Sequence, residues 1–306
     1  MKLEKISSVC LVLRPGQQKA KDLAVEVTTW LAARGVHAWV AANQTEPAVQ
    51  GAPTANHTPV LQIANSDCHP TLLHHPSGAW PDLVLVLGGD GTMLGALRQV
   101  LGSSVPVLGI NLGQVGFLAG IAEHNWQASL EKTFEHGLSL QPCMALAWQV
   151  ERKGKIILQG ESVNDVVLRG GSLAKLINLN LTIDDEEVGL LRADGLVLAT
   201  STGSSGYAFS AGGPLVQPEV EAFVLAPVSA FLNRMPPLII GCNCKVRATL
   251  HPKNSEVFLT SDGQEAFLLL AEDTVYIERS KHYAFMAFLP RSPYYAVLKD
   301  RGFIRE

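Results

Sequence analysis

One stretch, PDLVLVLGGDGTMLGAL at Pro81–Leu97, constrains the fold more than any other part of the sequence. Its apolar run Val84–Leu87 predicts a buried strand, and the residues from Thr92 to Leu101 predict a helix. Two glycines, an aspartate and a third glycine separate the two elements. A glycine-rich loop that leads into a helix N-terminus presents several backbone N–H groups, and such groups bind phosphate. The stretch therefore predicts a strand, a phosphate-binding loop and a helix in succession.

Two common nucleotide-binding fingerprints do not match this loop. A Walker A loop ends in Gly-Lys followed by Ser or Thr, and no lysine follows Gly91. A dinucleotide-binding Rossmann loop requires G-x-G-x-x-G, whereas Gly89, Gly91 and Gly95 are spaced differently. Asp90 is also unusual, because a carboxylate repels a bound phosphate. It suits the acceptance of a proton from a hydroxyl, or the retention of a cation against phosphates. The alternative is that its side chain simply caps the helix.

The first part of the chain alternates strands with helices around this loop. Val9–Leu13 and Val36–Val40 predict strands on either side of an amphipathic helix at Gln17–Arg34, and Val105–Ile110 predicts a further strand. This order predicts a doubly wound, Rossmann-like α/β domain over residues 1–122.

After Ala122 the pattern changes to short alternating runs separated by Gly, Asn or Asp. They predict a β-rich, β-sandwich-like domain over residues 123–280, followed by a tail at 281–306 that packs back on the domains and ends in a helix over 292–306. The predicted strands are Leu146–Val150, Lys155–Gln159, Val163–Leu168, Leu176–Ile183, Leu196–Ala199, Val246–Leu250, Val257–Thr260, Ala266–Leu270 and Thr274–Glu278.

The composition excludes several classes of protein. With 306 residues, of which 47% are hydrophobic and 17% charged, the chain can form cores in two globular domains. The net charge of -4, without a basic stripe, argues against a nucleic-acid partner. Five scattered cysteines predict reduced thiols. The absence of a signal peptide and of a membrane-length apolar run predicts a cytoplasmic protein with no membrane partner.

A second loop with ligand-binding character lies at Asp194–Pro214, DGLVLATSTGSSGYAFSAGGP. Here an apolar strand leads into Thr-Gly-Ser-Ser-Gly and then a tyrosine. Hydroxyls and backbone amides concentrated in this way, without charge, suit the recognition of phosphate or ribose oxygens. The alternative is a polar hairpin with no ligand.

Several blocks together resemble the NAD kinase family. They are Gly88–Thr92 (GGDGT), Gly109–Ile121 (GINLGQVGFLAGI), ESVNDVVL around Asn164–Asp165, RADGLVLATSTGSSGYAFSAGGP, and Ser261–Gln264 (SDGQ). Their order and approximate spacing match over about residues 80–265. Lipid and sphingoid kinases share the GGDGT motif, so the block that ends in Ala-Gly-Gly-Pro is the more specific part.

The resemblance implies a phosphotransferase that uses ATP to phosphorylate the adenosine 2′-hydroxyl of NAD, which gives NADP. It also implies a divalent metal such as Mg²⁺ and a homodimer or homotetramer. Such a reaction requires positioning, charge neutralisation and a carboxylate that takes the hydroxyl proton. The family likeness assigns that base to Asp90, places the reacting ribose against Asp90 and Gly91, and turns Gly88, Gly89 and Thr92 toward the donor phosphates.

The resemblance assigns further residues to NAD binding. Asn164 and Asp165 match a pair that grips the other part of the dinucleotide, and the segment from Ser205 to Ser210 matches the lining of adenine and ribose. Asp194 matches a residue near the nicotinamide, where a basic residue such as Arg192 goes with a preference for NAD over NADH. The whole predicted set is Asp90, Gly91, Phe117, Asn164, Asp165, Lys175, Arg192, Asp194, Thr202, Ser205, Gly206, Tyr207, Ser210 and Gln264.

Taken without the resemblance, several of these residues have ordinary interpretations. Asn164–Asp165 is also typical of a turn between two strands. Arg192 and Lys175 are also typical of solvated surface, and Phe117 of a hydrophobic core. Gln264 is equally compatible with a plain hairpin.

The chain departs from the family pattern at two places. The family usually has Thr-Pro-Thr-Gly-Ser-Thr-Ala-Tyr where this chain has Thr200–Tyr207, and the change to Gly206 removes a methyl that could touch the adenosine. The family often has Pro-His where Ala230 and Phe231 stand. Two alternatives therefore remain at this point: a lipid or sphingoid kinase with the same GGDGT loop, and a dinucleotide sensor without catalysis.

Overall fold

The computed structural model describes residues 2–3, 6–41, 60–61, 73, 78–113, 116–171, 176–231, 235–253, 256–289, 294–300 and 302–304. The chain divides into two compact units. Unit 1 consists of Met1–Thr45, Asp67–Cys143 and Tyr283–Glu306, and unit 2 consists of Glu46–Ser66 and Met144–His282. Among the described helices, none is long and apolar enough to cross a membrane.

The elements are numbered along the chain. The strands are β1 (Lys2–Leu3), β2 (Ser8–Leu13), β3 (His37–Val40), β4 (Val60–Leu61), β5 (Leu83–Gly88), β6 (Pro106–Asn111), β7 (Ile121–Ala122), β8 (Leu138–Arg152), β9 (Lys155–Ser162), β10 (Asp165–Gly170), β11 (Ile177–Ile183), β12 (Glu186–Ala193), β13 (Gly195–Thr200), β14 (Ala222–Val228), β15 (Leu238–Gly241), β16 (Val246–Leu250), β17 (Val257–Ser261), β18 (Glu265–Leu269) and β19 (Thr274–Phe288). The helices are α1 (Gln18–Ala32), α2 (Asp90–Gln99), α3 (Trp126–His136), α4 (Tyr207–Ser210) and α5 (Tyr294–Asp300).

Unit 1 is built on a parallel sheet in the order β3, β2, β5, β6. Every residue of β5 and β6 is buried, as expected of parallel strands that are covered on both faces. Helix α1 buries Ala20, Leu23, Ala24, Val27 and Leu31, which is the spacing of one helix face. The predicted α/β class is therefore confirmed for this part of the chain.

Helix α3 was not predicted, because the sequence was assigned to a β-rich region from residue 123 onward. Its buried face consists of Trp126, Ser129, Leu130 and Thr133, at helical spacing. Two of these four residues are polar, and the Thr133 hydroxyl is satisfied by the Ser129 carbonyl at 3.0 Å. Trp126, Leu130 and Phe134 nevertheless recur every four residues and pack on the core, so the sequence did contain an apolar helical periodicity that the prediction overlooked.

Unit 2 is β-rich, as predicted. Seven antiparallel strands form one sheet in the order β15, β14, β13, β10, β17, β18, β4. A second antiparallel ladder runs β12, β11, β16 and the first part of β19. All nine strands predicted after Ala122 are present, and the ends of seven of them shift by no more than three residues. Strand β8 begins eight residues earlier than predicted, and β19 continues ten residues further, to Phe288, into the segment that was predicted as a tail.

Strands β12, β14 and β15 were missed. Strand β12 buries only Leu191 and Ala193, so it shows little apolar alternation. Strand β14 contains Pro227, which argues against a central strand because proline cannot donate a ladder hydrogen bond. The structure accommodates it because pairing with β15 stops at Leu225, which leaves that side of Pro227 outside the ladder.

Candidate functional site

The predicted loop of unit 1 forms the junction between β5 and α2. Gly88 ends the strand, Gly89 is the N-cap with extended backbone, and α2 begins at Asp90. The predicted helix start at Thr92 was therefore two residues late. The first helical hydrogen bond runs from the Met93 N–H to the Gly89 carbonyl at 3.0 Å, so the loop residues precede the helical ladder, as a phosphate-binding loop requires.

The glycines of this loop differ in their surroundings. A Cβ on Gly88 would lie 2.6 Å from Thr92 Oγ1 and 3.3 Å from Arg14 Cβ, so the threonine side chain covers this glycine. A Cβ on Gly89 or Gly91 would meet no neighbouring atom within 4 Å. Packing within the described chain therefore requires glycine at Gly88, whereas Gly89 and Gly91 leave open space beside the backbone, where a ligand has room to approach.

Asp90 is the first residue of α2, and the N-cap of this helix is Gly89. The Asp90 carboxylate accepts the Phe117 N–H at 2.6 Å and the Leu118 N–H at 3.0 Å, one on each oxygen. Two backbone donors hold the orientation of the carboxylate. Asp90 is therefore oriented by a segment that is remote in sequence, which a helix cap alone would not require.

Gly116 makes this contact possible. A Cβ at Gly116 would lie 1.8 Å from Asp90 Oδ1 and 2.3 Å from Asp90 Cγ, which no side chain can occupy. The sequence pattern did not distinguish Gly116 from the other glycines of its block, and the signal available was a glycine immediately before Phe117. The role of Gly116 depends on a residue that lies 26 positions away in the chain.

Phe117 is partly buried, and its ring packs edge-to-face against Phe303 with the centroids 5.0 Å apart. This contact brings the C-terminal tail of unit 1 onto the segment that holds Asp90. The structure therefore gives Phe117 a packing partner in addition to the predicted role beside a ring of the ligand.

Unit 1 also contains a cleft of about 710 Å³ beside α1 and the start of α3. Its lining includes Lys19, Asn111 and Glu123, and a 2.5 Å ion pair joins Lys19 to Glu123. None of the predicted site residues lines this cleft, and the candidate site therefore rests on the loops and not on this cavity.

In unit 2, the predicted pair Asn164–Asp165 lies at the start of β10 and is held by Asp262. The Asp262 carboxylate accepts the N–H groups of Val163, Asn164 and Asp165 at 2.9, 2.7 and 3.0 Å. Asp262 belongs to the SDGQ block, in which only Gln264 was predicted to contact the ligand. Gln264 is buried.

The turn after β13 packs directly on the same pair. A Cβ on Gly203 would lie 2.1 Å from the Asn164 carbonyl oxygen, so only glycine fits. The Gly203 N–H is accepted by Thr200 Oγ1 at 3.0 Å. A Cβ on Gly206 would lie 3.9 Å from Asp165 Oδ2 and 4.0 Å from Asn164 Nδ2. The structure therefore brings Asn164, Asp165 and Gly206 together.

The hydroxyls of this loop fall into two groups. Those of Thr200, Ser201 and Ser204 donate to backbone carbonyls of Val163, Ala222 and Val216, among others, so they hold the loop together. The predicted ligand residues occupy a range of environments: Thr202 is buried, Ser205 is partly buried, and Tyr207 and Ser210 are exposed.

The pair Asn164–Asp165 combines a carboxyl with a raised pKa and a buried amide oxygen without a partner among the residues that the structure describes. Burial raises the pKa of the Asp165 carboxyl to about 7, and the nearby negative charge of Asp262 adds to this effect. Asn164 Oδ1 is buried without a hydrogen-bond partner within the described part of the chain. A buried amide oxygen in that state is costly, and a ligand donor would satisfy it.

Arg192 and Asp194 lie elsewhere in unit 2. Both are exposed, and the Arg192 guanidinium lies 5.7 Å from the ring centroid of Phe231, the residue that departs from the family pattern. Asp194 precedes β13 and Thr200 ends it, so about 20 Å of extended strand separates the two residues. The structure thus does not bring this pair to the loop after β13, and Lys175 lies outside the described residues.

Comparison with known proteins places these features in one family. Residues 9–138 match the ATP-NAD kinase N-terminal domain, and residues 163–288 match the ATP-NAD kinase C-terminal domain. An NAD kinase of Nitratidesulfovibrio vulgaris (strain DSM 19637 / Miyazaki F) is 40% identical over 301 residues, or 98% of each chain. An NAD kinase of Treponema denticola is 31% identical over 297 residues, which cover 97% of this chain and 96% of the relative.

Solved structures show the same fold. Yeast NADH kinase complexed with NADH superposes with a TM-score of 0.80 at 21% identity, over 98% of this chain and 89% of that one. An NAD kinase from Archaeoglobus fulgidus in complex with ATP superposes with a TM-score of 0.71 at 23% identity, over 97% of this chain and 100% of that one.

Proposed function

The chain belongs to the ATP-NAD kinase family, and we propose that it transfers the γ-phosphate of ATP to the adenosine 2′-hydroxyl of NAD. In this reaction the 2′-oxygen forms a bond to the γ-phosphorus while the bond from that phosphorus to the β,γ-bridging oxygen breaks. ADP leaves with the bond's electron pair, and the 2′-hydroxyl proton passes to a carboxylate of the protein. The products are NADP and ADP.

The observation that carries this proposal is the position of the Asp90 carboxylate in the loop and the two backbone amides that orient it. A carboxylate at a helix N-terminus in a glycine loop is poorly suited to phosphate binding alone, and two amides from another segment fix its orientation. General-base catalysis requires an oriented acceptor within reach of the hydroxyl proton. Asp90 therefore acts as the base, Gly91 lies beside the reacting ribose, and Gly88, Gly89 and Thr92 form the donor-phosphate loop.

Unit 2 supplies the other proposed NAD contacts. Asn164 offers a buried oxygen that lacks a donor among the described residues. Asp165, with its raised pKa, can donate a hydrogen bond when it is protonated. The remaining proposed contacts come from the sequence resemblance: Phe117, Lys175, Arg192, Asp194, Thr202, Ser205, Gly206, Tyr207, Ser210 and Gln264.

The donor chemistry supports Mg²⁺ as the metal. This ion is bound chiefly by phosphate oxygens and water with one or two carboxylates. No group of three or more His, Cys, Asp or Glu side chains within the described ranges is arranged to hold a metal, which fits an ion that arrives with ATP. Asp90 is the carboxylate in the phosphate loop. When bound, Mg²⁺ neutralises the charge on the donor phosphates.

We further propose a cytoplasmic location and a homodimer or homotetramer. The scattered cysteines of the sequence support the first, and the family resemblance supports the second. Sedimentation of the purified chain measures the oligomeric state directly.

The experiment that tests the function measures NADP formation from NAD, ATP and Mg²⁺ by the wild type and by Asp90→Asn, with NADH as the competing acceptor. NAD binding is measured in parallel without ATP. We expect robust turnover in the wild type and a loss of about 10²- to 10⁴-fold in kcat for Asp90→Asn. A folded wild type that binds NAD without forming NADP would instead identify a dinucleotide sensor.

A further inference from the structure

A single buried carboxylate holds the backbone of three consecutive residues in unit 2. Asp262 is 6% exposed, and its two oxygens accept the N–H groups of Val163, Asn164 and Asp165. Three backbone donors on one carboxylate form a strong, charge-assisted arrangement in a poorly solvated place. This cluster therefore fixes the position of the segment Val163–Asp165 more firmly than a neutral side chain would.

Further hydrogen bonds strengthen the link between Asp262 and the segment Val163–Asp165. The Asp262 N–H donates to the Asp165 carbonyl at 2.9 Å, so the two residues are bonded reciprocally. Next to them, Ser162 Oγ and Ser261 Oγ lie 2.7 Å apart, and both serines are fully buried. Asp262 has a φ of +53°, and Gly263 follows with a φ of +63°. Asp tolerates this left-handed conformation better than most residues.

The segment that Asp262 holds carries two polar side chains that lie beside the loop after β13. Asn164 has its buried orphan oxygen, and Asp165 is a buried acid whose pKa is raised by burial and by Asp262 itself. Both lie beside Gly206. The bonds from Asp262 to this segment go to its backbone N–H groups, so they do not occupy the Asn164 and Asp165 side chains.

We propose that Asp262 is a positioning residue for the dinucleotide, which acts by holding Val163–Asp165 so that the Asn164 and Asp165 side chains meet NAD. This inference rests on the proposed function. Asp262 itself does not touch the reacting atoms, and its effect is expected on the affinity for NAD more than on the chemical step.

A merely structural role would lower stability without changing NAD affinity, and the chain offers a matched control. Asp273 is fully buried in the same unit, accepts the Leu270 N–H at 2.8 Å and pairs with Arg152 at 2.7 Å through both oxygens. It is absent from the proposed NAD contacts. Asp273→Asn therefore removes a comparable buried carboxylate without disturbing Val163–Asp165.

The test uses the full-length chain and measures NAD binding by calorimetry without ATP, steady-state kinetics and thermal unfolding. In Asp262→Asn the amide group faces at least one backbone N–H donor, so the segment must shift. We expect its Kd and KM for NAD to rise about 10- to 100-fold, with a smaller change in kcat and no change in the KM for ATP. Asp273→Asn is expected to unfold at lower temperature with NAD affinity within about twofold of wild type.

Two results would overturn the inference alone: Asp262→Asn binds NAD as the wild type does, or Asp273→Asn weakens NAD binding equally. Hydrogen exchange of the wild type tests the inference even if Asp262→Asn does not fold. The amide hydrogens of Val163, Asn164 and Asp165 should exchange slowly without ligand, and fast exchange would contradict the proposal that Asp262 holds this segment. A folded wild type that fails to bind NAD overturns both this inference and the proposed function.

Discussion

The Asp90 carboxylate occupies the position where any side chain on Gly116 would have to lie, with Oδ1 1.8 Å from the Cβ that an alanine would place there. The adjacent Phe117 and Leu118 N–H groups bind the same carboxylate. The position of the proposed base therefore depends on this segment, because the missing Cβ of Gly116 lets the two amides reach the carboxylate.

Gly116→Ala is predicted to displace the Asp90 carboxylate and to lower kcat by about 100-fold, because the methyl and Oδ1 cannot share the space. Steady-state NADP formation measures this effect. Gly120→Ala is the control in the same segment, since its Cβ would meet only Phe288 Cδ1 at an ordinary 3.7 Å. Equal activity in the two variants would show that the close approach of Gly116 is unimportant.

Gly203→Ala is predicted to destabilise unit 2 and to weaken NAD binding. Its Cβ would lie 2.1 Å from the Asn164 carbonyl, and a backbone atom cannot move aside as a side-chain tip can. We expect a loss of about 2 kcal/mol or more in the free energy of unfolding, measured by urea titration. Gly206→Ala is the matched control. Its Cβ would lie 3.2 Å from the Gly203 carbonyl oxygen, so only a small adjustment is needed.

Asp165 is predicted to make the protein less stable as the pH rises. Its pKa is raised to about 7 in the folded chain, against about 4 when unfolded. Between these values the folded state holds more protons than the unfolded state, so the free energy of unfolding falls as the pH increases and levels off above about 7.

Urea titrations of the wild type and Asp165→Asn at pH 5 and pH 8 test this prediction. The amide cannot ionise, so Asp165→Asn should gain stability relative to the wild type as the pH rises, and the comparison at each pH cancels the other groups. A difference between the two proteins that does not change with pH would contradict the raised pKa.

Phe303→Ala is predicted to loosen the segment that holds Asp90. The ring of Phe303 packs edge-to-face on Phe117 at 5.0 Å, and such a pair contributes about 0.5–1.5 kcal/mol beyond its area. We expect kcat to fall a fewfold, whereas Tyr295→Ala, which removes a side chain that is 62% exposed, should leave it unchanged. A Phe303→Ala enzyme with wild-type kcat would show that the tail does not support the base.

Much of the architecture could be predicted from local pattern. The apolar runs of β2, β5 and β6, the helix face of α1 and the glycines around Asp90 each signal their structure within about fifteen residues, because strand and helix periodicities are local. Helix α3 was overlooked although Trp126, Leu130 and Phe134 recur at helical spacing. Strand β14 was missed because Pro227 argues against a central strand, and only the sheet shows that its pairing with β15 stops before this residue.

For the candidate site as well, one part could be predicted from local sequence and another part depended on the tertiary structure. The sequence alone determined that a carboxylate stands in a phosphate-type loop and that Asn164 and Asp165 belong to a recognisable block. Only the tertiary structure decided what holds them: Asp90 is bound by amides 27 and 28 positions away, and Asp262 binds amides 97 to 99 positions away. Every non-proline residue has a backbone N–H donor, so the sequence does not reveal which of them bind Asp90 or Asp262, and these partners emerge only when folding brings distant segments into contact.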